Sequence, residues 1–202
     1  MRVLVTGAGG FLGGHVAARL LARGDTVRGL DPAFPDPAAG MEAVRGSVLD
    51  ACALSRAMAG GGAVIHCAAI TGLWARDPRD FERVNLGGTR AVLAAARAAG
   101  VARVVHVSSY VTLISGGRGD PPRRVDETLE LPPEAMLGPY PRSKRLAEIA
   151  ALSADPPGVV VMPPAPIGPG DHAPTPPGAM LRDMAAGRLP AMIDCGWNLV
   201  DV

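Results

Sequence analysis

The stretch from Arg2 to Leu21, RVLVTGAGGFLGGHVAARLL, constrains this chain more than any other. Val3, Leu4 and Val5 form an unbroken apolar run too short for a helix, and Gly7, Gly10 and Gly13 follow at once. Beyond the glycines, Val16, Leu20 and Leu21 recur at helical spacing. The order is therefore buried strand, glycine turn, helix, which is how a chain builds a dinucleotide site. Gly7 permits the tight turn, Gly10 lets a pyrophosphate approach the backbone, and Gly13 lets the helix pack hard on the strand. Unpaired N–H groups at the helix start then meet the negative charge. The spacing Gly7-x-x-Gly10-x-x-Gly13 differs from the commoner G-x-G-x-x-G. With 26 glycines in 202 residues, their place between an apolar and an amphipathic run carries the inference, not their number.

A second strand, Thr26–Asp31, follows the turn Gly24-Asp25 and ends in an acid. Asp31 lies where such folds put the carboxylate that accepts both hydrogen bonds of an adenosine ribose, so NAD is preferred. Arg28 and Arg45 keep NADP open, since either could face a 2′-phosphate. Three prolines make a loop of residues 32–40. Glu42–Arg45 is a weak third strand, and Asp50 caps a short helix to Met58. Ala63–Ala69 reads as a fourth strand and its exit, with small residues leaving room for a ligand and His66 packed at the strand end.

A long helical pattern runs from about Arg79 to Ala99 and closes at Gly100. Arg103–Ser109 is a fifth strand that ends in two hydroxyls. Ser109 points to the same crevice as Gly7 and Ala68, whereas alternation sends Ser108 to the other face. Residues 115–139 form a polar loop beside the site, Tyr140–Ser153 a helix, and Val159–Met162 a sixth buried strand. The seven prolines of residues 163–177 predict irregular chain, residues 178–187 a short helix, and residues 198–202 the start of another strand. The alternation of strands and helices predicts an α/β fold, a doubly wound parallel sheet.

Composition narrows the partners. The net charge is +1 and no basic run exceeds two residues, which speaks against nucleic acid and anionic membranes. No apolar stretch reaches membrane-spanning length, and the N-terminus lacks the pattern of a signal peptide. Cys52, Cys67 and Cys195 form no C-x-x-C pair, which fits three small core residues in a reduced cytoplasm. No cluster of metal-ligating residues stands out.

Tyr140-Pro141-Arg142-Ser143-Lys144 is the second informative constellation. Tyr140 and Lys144, four apart at a helix start, share one face. An ammonium there would favour the phenolate and bring Tyr140 toward the range of a general acid or base.

Taken together, T-G-A-G-G-F-L-G at 6–13, H-C-A-A at 66–69, N-L-G-G-T at 85–89, V-S-S at 107–109, Y-P-R-S-K at 140–144 and P-I-G-P-G-D at 166–171 resemble a known family. It is the extended short-chain dehydrogenase/reductase group, the NAD-dependent epimerase/dehydratase family. Residues 73–78 and the run from Pro166 to Val202 look most like its branch of hopanoid-associated sugar epimerases and dihydroflavonol reductase-like proteins.

The resemblance implies an NAD(P)-binding Rossmann domain over residues 1–165 and the start of an incomplete, truncated substrate-binding lobe over 166–202. It implies Ser109, Tyr140 and Lys144 as catalytic residues. Tyr140 would move the proton of a substrate hydroxyl or carbonyl, Ser109 would bond the same oxygen, and Lys144 would hold the nicotinamide ribose. Gly7, Gly10, Phe11, Leu12, Gly13, Asp31, Ser47, Val48, Ala68, Ala69, Asn85 and Pro163 would complete the cofactor contacts, with Asn85 bracing the site. The implied substrate is a small molecule, a nucleotide sugar or another hydroxyl or carbonyl compound. The implied assembly is a homodimer through the helices around 79–99 and 140–153, with Ala91, Ala94, Ala95 and Ala98 allowing close approach.

Three departures accompany the match. Ser47 stands where the family often has an acid, and Met162, followed by Pro163 and Pro164, stands where Asn or Arg is common. Family members also continue well beyond residue 202 into the substrate lobe, so a nucleotide-binding protein without turnover is the competing class.

Overall fold

The structure is a computed structural model, described here for residues 1–72, 74–114, 124–155, 157–191, 194 and 196–202. Six parallel strands form its centre in the order β3-β2-β1-β4-β5-β6. They are β1 (Arg2–Thr6), β2 (Thr26–Asp31), β3 (Glu42–Arg45), β4 (Ala63–His66), β5 (Arg103–Val107) and β6 (Val159–Val161). Helices α1 (Phe11–Ala22), α2 (Ala51–Met58), α4 (Gly88–Ala98) and α5 (Pro139–Leu152) connect them, α4 being preceded by the single turn α3 (Arg79–Phe81). The doubly wound parallel sheet read from the sequence is therefore the fold observed. Strand order reverses between β1 and β4, each paired to the other in parallel register from Val3 opposite Ala63 to Thr6 opposite His66. That reversal opens the crevice in which ligands of such sheets bind.

Side-chain alternation divides the apolar residues of β1 between two cores. Val3 and Val5 pack with Val27, Ala17, Leu20 and Phe34 under α1. Leu4 packs with Leu30, Val64, Leu54, Met58, Val92 and Ala96 under α2 and α4. The Asp50 carboxylate accepts from the N–H groups of Cys52 and Ala53, capping α2 as expected.

Five readings change. As the edge strand of the sheet, β6 leaves Val159 and Val161 exposed and is not the buried strand expected. Between α3 and α4, Glu82–Gly87 form a π-helical turn, so the long helix is interrupted. Such turns concentrate at functional sites, and this one carries the buried Asn85. Within the proline-rich segment, β7 (Ala165–Ile167) pairs in parallel with β8 (Leu199–Asp201) as a separate two-stranded sheet. A proline is compatible with the edge of so small a sheet. Helix α6 (Pro176–Ala185) begins two residues earlier than expected, with the Thr175 hydroxyl accepting from the Gly178 N–H; proline suits a first helical turn, whose N–H has no helical partner. Cys52 lies exposed on α2 instead of in the core, while Cys67 packs partly buried against the α1 core. Cys195, Leu73 and residues 115–123 of the polar loop lie outside the described residues. Among the described residues no helix is long and apolar enough to cross a membrane.

Candidate nucleotide and proton-transfer site

The glycine turn is shaped by contacts that only hydrogen atoms can occupy. Gly7 has φ +73°, and a Cβ there would stand 2.7 Å from the Ala68 nitrogen at the exit of β4. A Cβ on Gly13 would stand 2.0 Å from the Gly7 carbonyl oxygen, so helix and strand backbones touch. α1 starts after Gly10 with no side-chain cap and no acid in its first turn. Its first N–H groups, those of Phe11 and Leu12 among them, are thus left for an anion, which fits a pyrophosphate.

Gly9 is a residue that the reading of the spacing passed over. Its N–H donates to Asp31 Oδ2 at 3.2 Å, and the Ala33 N–H donates to Oδ1 at 3.0 Å. Each oxygen keeps a lone pair, so the carboxylate is held in place and can still accept from a ribose. Arg28 is not free to meet a 2′-phosphate. Its guanidinium donates to the carbonyls of Arg56, Ala57 and Ala59 and to Glu42, closing the end of α2. Arg45 remains exposed.

Ser47 accepts from the Leu49 N–H, and Val48 is buried against Gly88, where a Cβ would stand 2.6 Å from the valine methyl. Ala68 N–H donates to Thr6 Oγ1, Ala69 is half-buried beside it, and the Pro163 carbonyl accepts from Tyr110 N–H. Asn85 is clamped on three sides. Its amide accepts from Ile70 N–H at 2.8 Å and donates to Ile70 O and to Ser143 Oγ. Ser143 Oγ in turn donates to the Tyr140 carbonyl at 2.7 Å.

Ser109, after β5, and Tyr140, at the start of α5, come together. Burial pushes the Tyr140 phenol above its ordinary range, the Ser109 hydroxyl pulls it back, and Tyr110 adds to the rise. The net shift is upward with burial as its main cause, so the lowering expected from Lys144 is not found. Its ammonium is buried and donates to the Val107 carbonyl at 2.7 Å, at the end of β5. Burial lowers Lys144 to about 8, against the upward pull of Cys67 and Glu148. Sharing a helix face was not enough: the nearest strong acceptor for the ammonium is a strand-end carbonyl.

Ser108 lies beyond the end of β5 and donates to Glu148 Oε2 at 3.0 Å, on the same helix as Tyr140, so the opposite face expected from alternation is not what is found. Glu148 also pairs with Arg145, and Arg145 Nε donates to the Leu131 carbonyl. Arg145 and Glu148 are both buried. Glu148 was absent from the residues read as functional, yet it lies four beyond Lys144 and eight beyond Tyr140, one polar stripe at helical spacing. Glu148→Leu should cost about 3–5 kcal/mol in urea unfolding, because it leaves the Arg145 guanidinium buried without its counter-ion. The double variant Arg145→Met/Glu148→Leu should recover most of that loss.

The site therefore joins a glycine turn with uncapped N–H groups, the Asp31 carboxylate and a phenol close to a hydroxyl. Comparison with known proteins gives the family. The model of the NAD dependent epimerase/dehydratase family matches residues 3–197. Over 170 residues the chain is 40% identical to the 4-hydroxy-2-methyl-3-oxo-4-farnesyl-3,4-dihydroquinoline-1-oxide ketoreductase of Stigmatella aurantiaca, covering 81% of this chain and 49% of that protein. The crystal structure of gox2253 superposes with a TM-score of 0.87 at 35% identity, covering 98% of this chain and 62% of that one. The Bordetella bronchiseptica enzyme WbmG, solved with NAD and UDP, superposes with a TM-score of 0.78 at 26% identity, covering 100% and 64%. The chain spans about half to three-fifths of the length of the curated relatives it matches. A match that runs unbroken from the glycine turn through the helix of Tyr140 and on past β7 leaves one assignment: this chain belongs to the NAD dependent epimerase/dehydratase family.

Proposed function

We propose that the protein is an NAD-dependent oxidoreductase of the extended short-chain type, working on a hydroxyl or carbonyl group of a small molecule. The observation that carries this reading is the glycine turn set against the exit of β4 where the strand order reverses, with the Tyr140 phenol and the Ser109 hydroxyl brought close together by α5 and the end of β5. A phenol and a hydroxyl together suit proton transfer to or from a substrate oxygen. Bound NAD would supply the hydride chemistry. Gly7, Gly10, Phe11, Leu12 and Gly13 would hold its pyrophosphate, Asp31 its adenosine ribose and Lys144 its nicotinamide ribose, with Ser47, Val48, Ala68, Ala69, Asn85 and Pro163 around it. Tyr140 would give its proton to the substrate oxygen while Ser109 donates to the same atom, and the reverse transfers would serve oxidation.

Residues 166–202, with β7, β8 and α6, would begin the substrate lobe. A ketone like that handled by the Stigmatella relative or a nucleotide sugar of the kind suggested by UDP in WbmG are the two substrate classes to try. A homodimer through α4 and α5 in a reducing cytoplasm completes the proposal. Ala91 and Ala95 pack on the core, so the contact would rest on the exposed Ala94 and Ala98 with Ile149 and Leu152, and not on the four alanines together.

One observation bears on the competing class, a nucleotide-binding protein without turnover: the Lys144 ammonium donates to the Val107 carbonyl at 2.7 Å. Turnover of NADH with ketones and UDP-sugars, followed in wild type and in Tyr140→Phe, separates the two. The variant should lose about 10²–10⁴-fold in kcat, the usual contribution of a general acid, while its melting point and NADH affinity hold. Undiminished turnover in the variant would remove Tyr140 from the reaction, and NADH binding with no turnover of any tested compound would favour the competing class.

A further inference from the structure

His66, at the end of β4, is 1% exposed and is hydrogen-bonded to Thr6 and Thr89, neither of which is assigned above to proton transfer. Both of its ring nitrogens are thus bonded, and the directions of those bonds can be worked out. Thr89 Oγ1 stands 2.6 Å from the Asn85 carbonyl, an acceptor only, so the Thr89 hydroxyl donates there. Having spent its one proton, Thr89 Oγ1 must accept from His66 Nε2, 3.0 Å away. The ring is then neutral with its proton on Nε2, and Nδ1 is an acceptor. Thr6 Oγ1, 2.6 Å from Nδ1, must therefore donate to it, while accepting the Ala68 N–H at 3.3 Å. The tautomer is set by its partners and not by the ring itself.

The bonds form one directed series. It runs from Ala68 N–H to Thr6, from Thr6 to His66, from His66 to Thr89, and from Thr89 to the Asn85 carbonyl. The Asn85 side chain continues it by donating to Ser143, which donates to the Tyr140 carbonyl. One end is the strand exit beside the glycine turn; the other is the backbone of the phenol. Moving the ring proton to Nδ1 would set two protons between Thr6 and the ring unless Thr6 turned away. It would also leave Nε2 without a donor unless Thr89 released Asn85.

We propose that His66 is a positioning residue: as the fixed Nε2–H tautomer it couples the nucleotide turn at Thr6 to the placement of Tyr140, through Thr89, Asn85 and Ser143. Its consequence for turnover rests on the reading of Tyr140 as the proton-transfer residue; the coupling itself does not. A hydroxyl at position 89 that both accepts and donates is the critical link, so Thr89→Ser should preserve the coupling and Thr89→Val should break it.

The test uses the full chain in a Tyr110→Phe background, which leaves Tyr140 as the sole tyrosine of the two present. Imidazole nitrogen NMR, with His66 assigned from its absence in His66→Gln, reports the tautomer. Ultraviolet difference titration reports the ionisation of Tyr140. In the parent the His66 ring should show the Nε2–H tautomer. Thr89→Val should shift the Tyr140 midpoint by at least ~0.5 pH unit, about a threefold change in its ionisation constant, and Thr89→Ser should leave it in place. Thr6→Val, which removes the donor to Nδ1, should populate the other tautomer and serves if Thr89→Val does not fold. An Nδ1–H tautomer in the parent would overturn the proposal. So would a Tyr140 midpoint unmoved by Thr89→Val, even with a lowered melting point, since a purely structural threonine affects only the latter. None of these measurements needs turnover, so failure of the oxidoreductase reading would leave them standing.

Discussion

Gly13→Ala is expected to abolish NADH binding in a fluorescence titration and to lower the unfolding free energy by ~3 kcal/mol, the upper part of the range for overpacking a dense interior. The added methyl would sit 2.0 Å from the Gly7 oxygen, 2.6 Å from the Gly7 carbon and 3.1 Å from Ala8 Cα, all backbone atoms. No rotamer change can relieve contact with backbone. Gly7 cannot retreat either, because its own Cα faces the Ala68 backbone across the crevice. The helix must then tilt or slide off β1, and the N–H groups that face the pyrophosphate move with it. Gly14→Ala is the matched control on the same helix. Its Cβ would meet only Ala8 O at 3.6 Å, an ordinary contact. That variant should bind NADH as wild type does and gain up to about 0.5–1 kcal/mol from helix propensity. Equal losses from the two alanines would show that the turn is not built on the Gly13 contact.

The second large effect is acid unfolding driven by two histidines. His66 is lowered to about 3 and His106 to about 2, in both cases mainly by burial and then by the Lys144 charge, with His66 adding to the effect on His106. The rings lie 5.3 Å apart between their centroids on paired positions of β4 and β5. A ring whose folded pKa is depressed binds its proton in the unfolded chain first. The stability it contributes is complete above the ordinary histidine value of ~6.5, and is lost as pH falls from there toward about 3 and about 2. With two such rings, the slope should approach about 2–3 kcal/mol per pH unit, at roughly 1.4 kcal/mol for each proton. Urea unfolding at a series of pH values measures it directly.

Neither nitrogen of His106 has a hydrogen-bond partner among the described residues. His106→Leu should therefore remove about one proton from the slope at little cost near neutral pH. A slope in the variant equal to that of wild type would show that His106 does not drive the transition. Lys144 acts in the same direction at the alkaline end. Its depressed value means that stability rises as pH climbs from about 8 toward the ordinary lysine range and is missing below that window.

Much of this protein could be read from residue order, because the relevant forces act over short spans. An apolar run, three glycines and an amphipathic run are enough to specify strand, tight turn and helix, and Asp50 caps α2 through neighbours two and three residues away. The placement of Asp31 followed from the length of one strand-helix-strand unit. What could not be read depends on pairs far apart in the chain. Gly9 matters because Asp31 is folded over it, 22 residues away. Asn85 and Ser143 meet across 58 residues, and Thr6 meets His66 across 60.

Lys144 illustrates the difference most sharply. Helical spacing puts it on the face of Tyr140, and that much is a local property. Which group receives its proton donors is settled by the carbonyl of Val107, brought within 2.7 Å only when α5 lies over the end of β5. Local pattern thus determined the parallel sheet and the glycine turn. Tertiary packing decided the half-buried setting of Tyr140, the commitment of Arg28 to a helix end and the partners of a buried histidine. A hydrogen bond or a buried charge takes its energy from whatever the fold brings beside it, and no periodicity in the chain encodes that neighbour.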